Sequence, residues 1–190
     1  MTKITILDLD NTISNDEWRI SQIDWSTSDP KLRYHRYHQL SHADKAGNHD
    51  LFVNKSVVIF TARPEKYRDI TIEWLAANAI DAAMVLMRCE GDHRPSKELK
   101  LAMFKHLRGF YSMAEIEGAY DDRDDVVQMY RCLGLNAHVR ALHDTCAYTR
   151  PCPSEEDVAF QLLERRLIAA GYTIEDIENS SPYNKVGDES

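Results

Sequence analysis

The run Ile4-Thr5-Ile6-Leu7 is apolar and rich in β-branched residues, and it passes without a spacer into Asp8-Leu9-Asp10-Asn11-Thr12. Such a run predicts a strand buried on both faces of a parallel sheet. In open α/β sheets ligands bind beyond the carboxyl ends of the strands, which is where Asp8, Asp10 and Thr12 fall. Two carboxylates two residues apart at a strand end repel one another unless a cation sits between them. This one stretch therefore asks for a parallel sheet beneath it and a cation beside it.

The rest of the chain supplies that sheet. Lys55–Phe60 is a second buried strand that runs into Thr61-Ala62-Arg63-Pro64, with Pro64 suited to the first turn of a helix over about 65–78. Ala83–Met87, Ile116–Tyr120 and Leu135–Val139 are three more strands. Pro95-Ser96 opens a helix over about 96–108, and a helix over about 123–133 stops at Gly134. Strands alternating with helices predict an α/β fold, a Rossmann-like parallel sheet with helices on both faces. Residues 14–52 lack strand character and carry Trp18, Trp25, Tyr34, His35, Tyr37 and His38, so they are expected to form a small, mostly helical cap insertion. The expected organisation is a core over 1–150 holding that insertion, a C-terminal helical extension over 151–179 and a disordered tail over 180–190.

Length and charge narrow the function. At 190 residues one domain with a small insertion is expected, able to bury about 70% of the unfolded surface. No apolar run is long enough to span a bilayer, and the N-terminus enters a strand directly, which predicts no signal peptide and no membrane partner. Cys89, Cys132, Cys146 and Cys152 form no Cys-x-x-Cys pair, as expected of a reduced, cytoplasmic setting. A net charge of −8 speaks against a long nucleic-acid groove, though not against a few arginines gripping one nucleotide or one strand end. No G-x-x-x-x-G-K-[ST] run is present, which excludes a P-loop kinase.

Four strand ends carry polar residues: Asp8, Asp10 and Thr12; Thr61 with Arg63; the loop feeding Lys100; and Asp121 with Asp122. In this order they resemble the four motifs of the haloacid dehalogenase (HAD) superfamily of phosphatases. Within it, the chain is most similar to the 3′-phosphatase domain of bacteriophage polynucleotide kinase/phosphatase. That resemblance covers about residues 3–142 and rests on Arg19, Thr61-Ala62-Arg63, Gly91-Asp92-His93-Arg94 followed by Lys100, and Ala119-Tyr120-Asp121-Asp122-Arg123 with Val126-Val127. Ser96 departs from it, standing where that domain has an acidic residue. Lys97 competes with Lys100, and the spacing from Gly91-Asp92 favours Lys100.

The resemblance implies a Mg²⁺-dependent phosphomonoesterase. Asp8 would be metal ligand and nucleophile, forming an aspartyl-phosphate. Asp10 would give its carbonyl to the metal and its carboxyl to acid–base work. Asp121 and Asp122 would complete the metal site. Thr61 and Lys100 would hold phosphoryl oxygens, with Lys100 keeping Asp8 ionised. Arg19, Arg63, Thr12 and Arg94 are the candidates for binding substrate, arginine being suited to phosphate. The expected substrate is a nucleotide or a nucleic-acid 3′-end. The alternatives are a 5′-nucleotidase for free (deoxy)nucleoside monophosphates and an inactive HAD fold that binds a nucleotide or a partner; the intact acidic set argues against the last.

His35, His38 and His42 fall at i, i+3 and i+7. Zinc there lacks thiolates and a fourth ligand, so a polar aromatic face is expected instead, with Tyr34 or Tyr37 stacking on a base. Asp125, one turn after Asp121, reads equally as a supporting acid or as a solvated helix residue.

Overall fold

A computed structural model describes residues 3–144; the expected helical extension over 151–179, the tail over 180–190, Cys146 and Cys152 lie outside the described residues. Among the described residues seven strands and five α-helices follow in order. They are β1 (Ile4–Leu7), β2 (Ser14–Asn15), α1 (Pro30–Arg33), α2 (His35–Gln39), β3 (Lys45–Ala46), β4 (Ser56–Pro64), α3 (Arg68–Ala77), β5 (Ala82–Arg88), α4 (Ser96–Leu107), β6 (Ile116–Asp121), α5 (Asp124–Cys132) and β7 (Ala137–Val139).

Five strands form one parallel sheet in the order β5-β4-β1-β6-β7. The opening stretch is thus the central strand, and all four of its residues are buried. Side chains alternate across a strand, which divides the core in two. Ile4 and Ile6 of β1 join Val58 and Phe60 of β4 beneath Leu99, Met103 and Phe104 of α4 and Val127 and Tyr130 of α5. Leu7, Leu9, Val57 and Ile59 pack on the other face against Trp74 and Leu75 of α3. Each such apolar side chain contributes about 1.5–3 kcal/mol by leaving water. Helices cover both faces, as the alternating pattern predicts.

Two expectations need correction. β4 does not end at Phe60 but continues through Thr61 and Arg63 to Pro64, which pairs with Arg88 of β5 after a register shift. The residue before a proline disfavours helical dihedrals, so Arg63 stays extended. A 3₁₀ turn at Glu65–Tyr67 precedes α3, which begins at Arg68. Thr61 and Arg63 therefore stand on a strand rather than at a helix entrance. The second correction concerns the stretch expected to lack strands. Ser14 and Asn15 pair antiparallel with Ala46 and Lys45, closing the base of the insertion as a ribbon of two-residue strands, too short for alternation to betray them. Between them lie 3₁₀ turns at Glu17–Gln22 and Leu40–Ala43 flanking α1 and α2. Since α2 ends at Gln39, His42 leaves the helix that carries His35 and His38, and its Nδ1 lies 3.0 Å from the Gln39 carbonyl oxygen.

Candidate active site

Beyond β1 the chain reverses in a tight turn. The Leu9 carbonyl accepts from the amides of Thr12, Ile13 and Ser14 at 3.0, 2.9 and 2.9 Å. Asn11 takes φ 60°, a left-handed conformation that asparagine tolerates better than most residues. Its side chain then works as a clasp. Oδ1 accepts from the amides of Leu142 and His143 at 3.0 and 2.8 Å, and Nδ2 donates to the His143 carbonyl at 3.1 Å and to Asp122 Oδ2 at 3.3 Å.

Asp8, Asp121 and Asp122 meet at the carboxyl ends of neighbouring strands β1 and β6, all buried, each offering an oxygen within 4.8 Å of the others. Lys100 enters from α4 and places Nζ 2.7 Å from both Asp8 Oδ1 and Asp121 Oδ2. Thr12 Oγ1 donates to Asp8 Oδ2 at 3.4 Å. Three carboxylates against one ammonium leave two negative charges in a buried pocket. The carboxyl groups register that excess. Burial, with Asp121 beside it, pushes Asp122 up to about 7. Burial also pushes Asp8 well above the usual carboxylate range; Lys100 pulls it back, but Asp121 and Asp122 push with the burial. Lys100 thus acts on Asp8 in the expected direction, toward the ionised form, against burial and the two neighbouring acids. The ammonium itself is held protonated by Asp121 and Asp8 against the effect of its burial. A compact set of hard oxygen donors carrying two uncompensated charges fits a divalent cation.

Asp10 belongs to a different network. Its carboxylate accepts from Arg63 Nε at 3.0 and 3.1 Å and from Arg63 Nη2 at 2.5 Å, and Arg19 Nη2 lies 2.5 Å from the same Oδ1. Burial favours protonation, yet Arg63 and Arg19 overcome it and hold Asp10 far below the usual range. Its resting form is therefore that of a base. Both guanidiniums also meet Asp44. Arg19 donates from Nε to Oδ1 at 2.8 Å and from Nη2 to Oδ2 at 2.6 Å, while Arg63 Nη2 is 3.4 Å from Oδ2. Ser14 Oγ donates to Asp44 Oδ2 at 2.5 Å and Trp18 Nε1 donates to Oδ1 at 3.0 Å. Arg19 further stacks its guanidinium 4.0 Å from the centre of the Tyr37 ring.

The expected site residues separate accordingly. Asp8, Thr12, Lys100, Asp121 and Asp122 converge on the acidic cluster. Arg19 and Arg63 are fully buried and turned to Asp10 and Asp44, so in this state they hold carboxylates, although Arg63 Nη1 keeps no hydrogen-bond partner. Thr61 is buried on β4, where its Oγ1 accepts from the Arg63 amide at 3.1 Å. Arg94 is half exposed and pairs with Asp92 at 2.6 Å, an exposed-loop contact rather than one within either buried network. Lys97 is exposed whereas Lys100 is buried, which decides between them by geometry. Asp125 pairs with Arg123 at 3.0 Å on the surface, the solvated of its two readings. Tyr37 is buried and donates its hydroxyl to Asp16, so it presents no free face to a base.

Asp44 and Asn11 escaped the sequence reading. Asp44 sits in Ser41-His42-Ala43-Asp44 with no motif around it, and its partners lie 19 to 30 residues away. Asn11 left one trace, an asparagine directly after a strand-end acid, where a left-handed turn residue belongs.

Comparison with known proteins accords with this geometry. Residues 2–140 match the family described as Polynucleotide kinase PNKP phosphatase domain. No curated protein sequence matches the chain. Among solved structures, a chain of the Pnkp1/Rnl/Hen1 RNA repair complex is similar at 25% identity and TM-score 0.55, over 73% of this chain and 42% of that one. A second structure of the Pnkp1/Rnl/Hen1 complex gives 26% identity and TM-score 0.56, over 74% and 45%. The chain thus spans less than half the length of these two relatives. The class C acid phosphatase from Bacillus anthracis shares the fold at 12% identity and TM-score 0.52, over 85% of this chain and 79% of that one. A central parallel strand ending in Asp8, with Lys100 and the Asp121–Asp122 pair gathered at its tip, is what the matched sequence builds: the chain belongs to the polynucleotide kinase PNKP phosphatase domain family and is a phosphatase of the HAD type.

Proposed function

We propose that the chain removes the phosphate from a nucleic-acid 3′-end. The observation that carries the chemistry is the buried Asp8 carboxylate lying 2.7 Å from Lys100 within the Asp121–Asp122 cluster. The substrate class rests on the matched family and on the RNA repair complex that holds a similar chain.

Asp8, Asp121 and Asp122 are the side chains that would hold a divalent cation, Mg²⁺ in our reading, with the Asp10 carbonyl as a further donor. Bound there, the cation neutralises the incoming phosphate dianion and the excess charge of the acids. An Asp8 oxygen attacks phosphorus and the ester P–O bond breaks, leaving an aspartyl-phosphate and an alkoxide. Lys100 and the Thr61 hydroxyl hold non-bridging oxygens where negative charge gathers. Asp10, ionised at rest, takes the proton of the water that hydrolyses the acyl phosphate. To protonate the leaving oxygen it must first take a proton from solvent, once a bound phosphate draws the two guanidiniums from it. Giving that proton up restores the carboxylate that later accepts the water's proton.

Phosphate release with Mg²⁺ from 3′- and 5′-phosphorylated oligonucleotides, 3′- and 5′-mononucleotides and sugar phosphates, each repeated with EDTA, tests this reading. Release from 3′-ends that EDTA stops is the expected result. A preference for 5′-monophosphates would make the protein a nucleotidase, and release from nothing would leave a binding protein.

A further inference from the structure

We propose that Trp18 is the platform on which a base at the substrate's end stacks, an inference that rests on the reading of the site as one for nucleic-acid ends. Trp18 and Arg19 are consecutive residues of the 3₁₀ turn Glu17–Gln22. Three residues per turn send consecutive side chains about 120° apart. Arg19 points inward and is fully buried; Trp18 points outward and is 48% exposed.

That exposed ring is nonetheless fixed. Its Nε1–H donates to Asp44 Oδ1 at 3.0 Å, the same oxygen accepts from Arg19 Nε at 2.8 Å, and Arg19 Nη2 reaches Asp10 Oδ1 at 2.5 Å. The indole is therefore anchored along its polar edge by a buried carboxylate, one guanidinium away from Asp10. An aromatic ring left open to water but held in place loses little conformational freedom when something flat covers it.

The tyrosines and Trp25 of the insertion contact one another or an arginine. Tyr37 lies buried against the Arg19 guanidinium. Tyr34 packs edge-on to Trp25 and Tyr37, and His38 lies against Tyr37 and Tyr67. The Tyr67 hydroxyl is 2.7 Å from His35 Nδ1. None of the ring–ring contacts among the described residues involves Trp18.

Charge decides what covers the ring. Nucleic-acid binding usually draws its strength from neutralising phosphates, and a chain with net charge −8 is poorly equipped for that along a strand. Stacking needs no positive charge and tolerates any base, because every base has a π-face. A single indole anchored through Asp44 and Arg19 to Asp10 would grip the end of a strand without a basic groove. The exposed Trp18 thus takes the stacking role expected from sequence of Tyr34 or Tyr37, of which Tyr37 is buried.

The test is steady-state kinetics of wild type, Trp18→Ala and Trp18→Phe on two substrates, a 3′-phosphorylated oligonucleotide and the same strand with its two terminal residues abasic. Trp18→Ala is expected to raise KM for the base-bearing strand about tenfold, as loss of one stacked base implies, with a much smaller change on the abasic strand. Trp18→Phe, which keeps a ring and loses the N–H, is expected to recover most of that KM. Equal effects of Trp18→Ala on both strands, or none on either, overturn the proposal: the first means a role through Asp44 alone, the second no role. A wild type inactive on both strands but active on another phosphomonoester removes the nucleic-acid-end reading itself, and the inference with it.

Discussion

Asp10 and Asp44 are held by the same two guanidiniums. Arg19 and Arg63 both lie within ion-pairing distance of each carboxylate, from 2.5 to 3.4 Å. The buried Asp44 and the partly buried Asp10 balance two buried guanidiniums, which is how so much charge is tolerated beneath the insertion. Removing one partner from such a set leaves an uncompensated buried charge and costs about 3–5 kcal/mol.

Asp44→Asn is therefore expected to lower the urea midpoint and to reduce kcat more than it changes KM, because Asp44 acts on the reaction through the arginines that hold Asp10. Urea unfolding beside saturation kinetics checks this. A variant with the wild-type midpoint and kcat would show that the shared clamp is idle.

Asn11 joins the turn after β1 to residues 142–143 and to Asp122 through four hydrogen bonds of its side chain, 2.8–3.3 Å long. Asn11→Ala removes the side-chain oxygen that accepts from the Leu142 and His143 amides, leaving the backbone carbonyl of residue 11 to take the Leu142 amide at 2.8 Å. It also places alanine at φ 60°, so a loss of roughly 1–3 kcal/mol is expected. Asn11→Gly relieves the backbone strain and recovers part of that loss. In both variants Asp122 loses a donor, so the Mg²⁺ concentration for half-maximal activity rises. Unfolding midpoints and a Mg²⁺ titration of activity read the two effects separately; an unchanged Mg²⁺ requirement would detach Asn11 from the metal site.

His38 gives the fold a pH dependence. Burial is the main reason its imidazole is pushed down to about 3; Asp10 opposes that shift, and Arg19 and Arg63 add to it. The unfolded chain protonates this ring below about pH 6.5 while the folded chain keeps it neutral. Unfolded protein thus binds the extra proton between those values, and stability falls as pH falls from 6.5 toward 3, by up to about 1.4 kcal/mol per pH unit. His38→Gln should flatten that limb. Urea midpoints at pH 7, 6 and 5 for both proteins measure it, and parallel slopes would exclude His38 as the titrating group.

What the sequence disclosed follows from how local each signal is. Ile4–Asp8 carries its burial and its function in five consecutive residues, and the alternation of strands and helices is a pattern of many side chains. Lys100 announced itself by spacing and Asp121–Asp122 by ending a strand. The extent of β4 was hidden because Thr61–Pro64 reads equally as a strand end or a helix entrance, and the register shift onto Arg88 decides it. The destination of Arg19 and Arg63 was hidden for another reason. An arginine suited to phosphate is equally suited to carboxylate, and the carboxylate that competes for it, Asp44, bears no motif. The burial, and after it the crowding of acids, that push Asp8 and Asp122 upward likewise exist only once β1 and β6 lie side by side.

Asp8→Asn tests the central claim most directly. It turns the attacking carboxylate into a neutral amide, a poor nucleophile, and so removes one cluster charge while keeping the size of the side chain. Inorganic phosphate released from a 3′-phosphorylated oligonucleotide in Mg²⁺ is measured for wild type and variant, with thermal unfolding followed on the same samples. Release by wild type and none above background by a variant that still unfolds cooperatively is the expected result. Release by Asp8→Asn at the wild-type rate would contradict the assignment of Asp8 as the nucleophile.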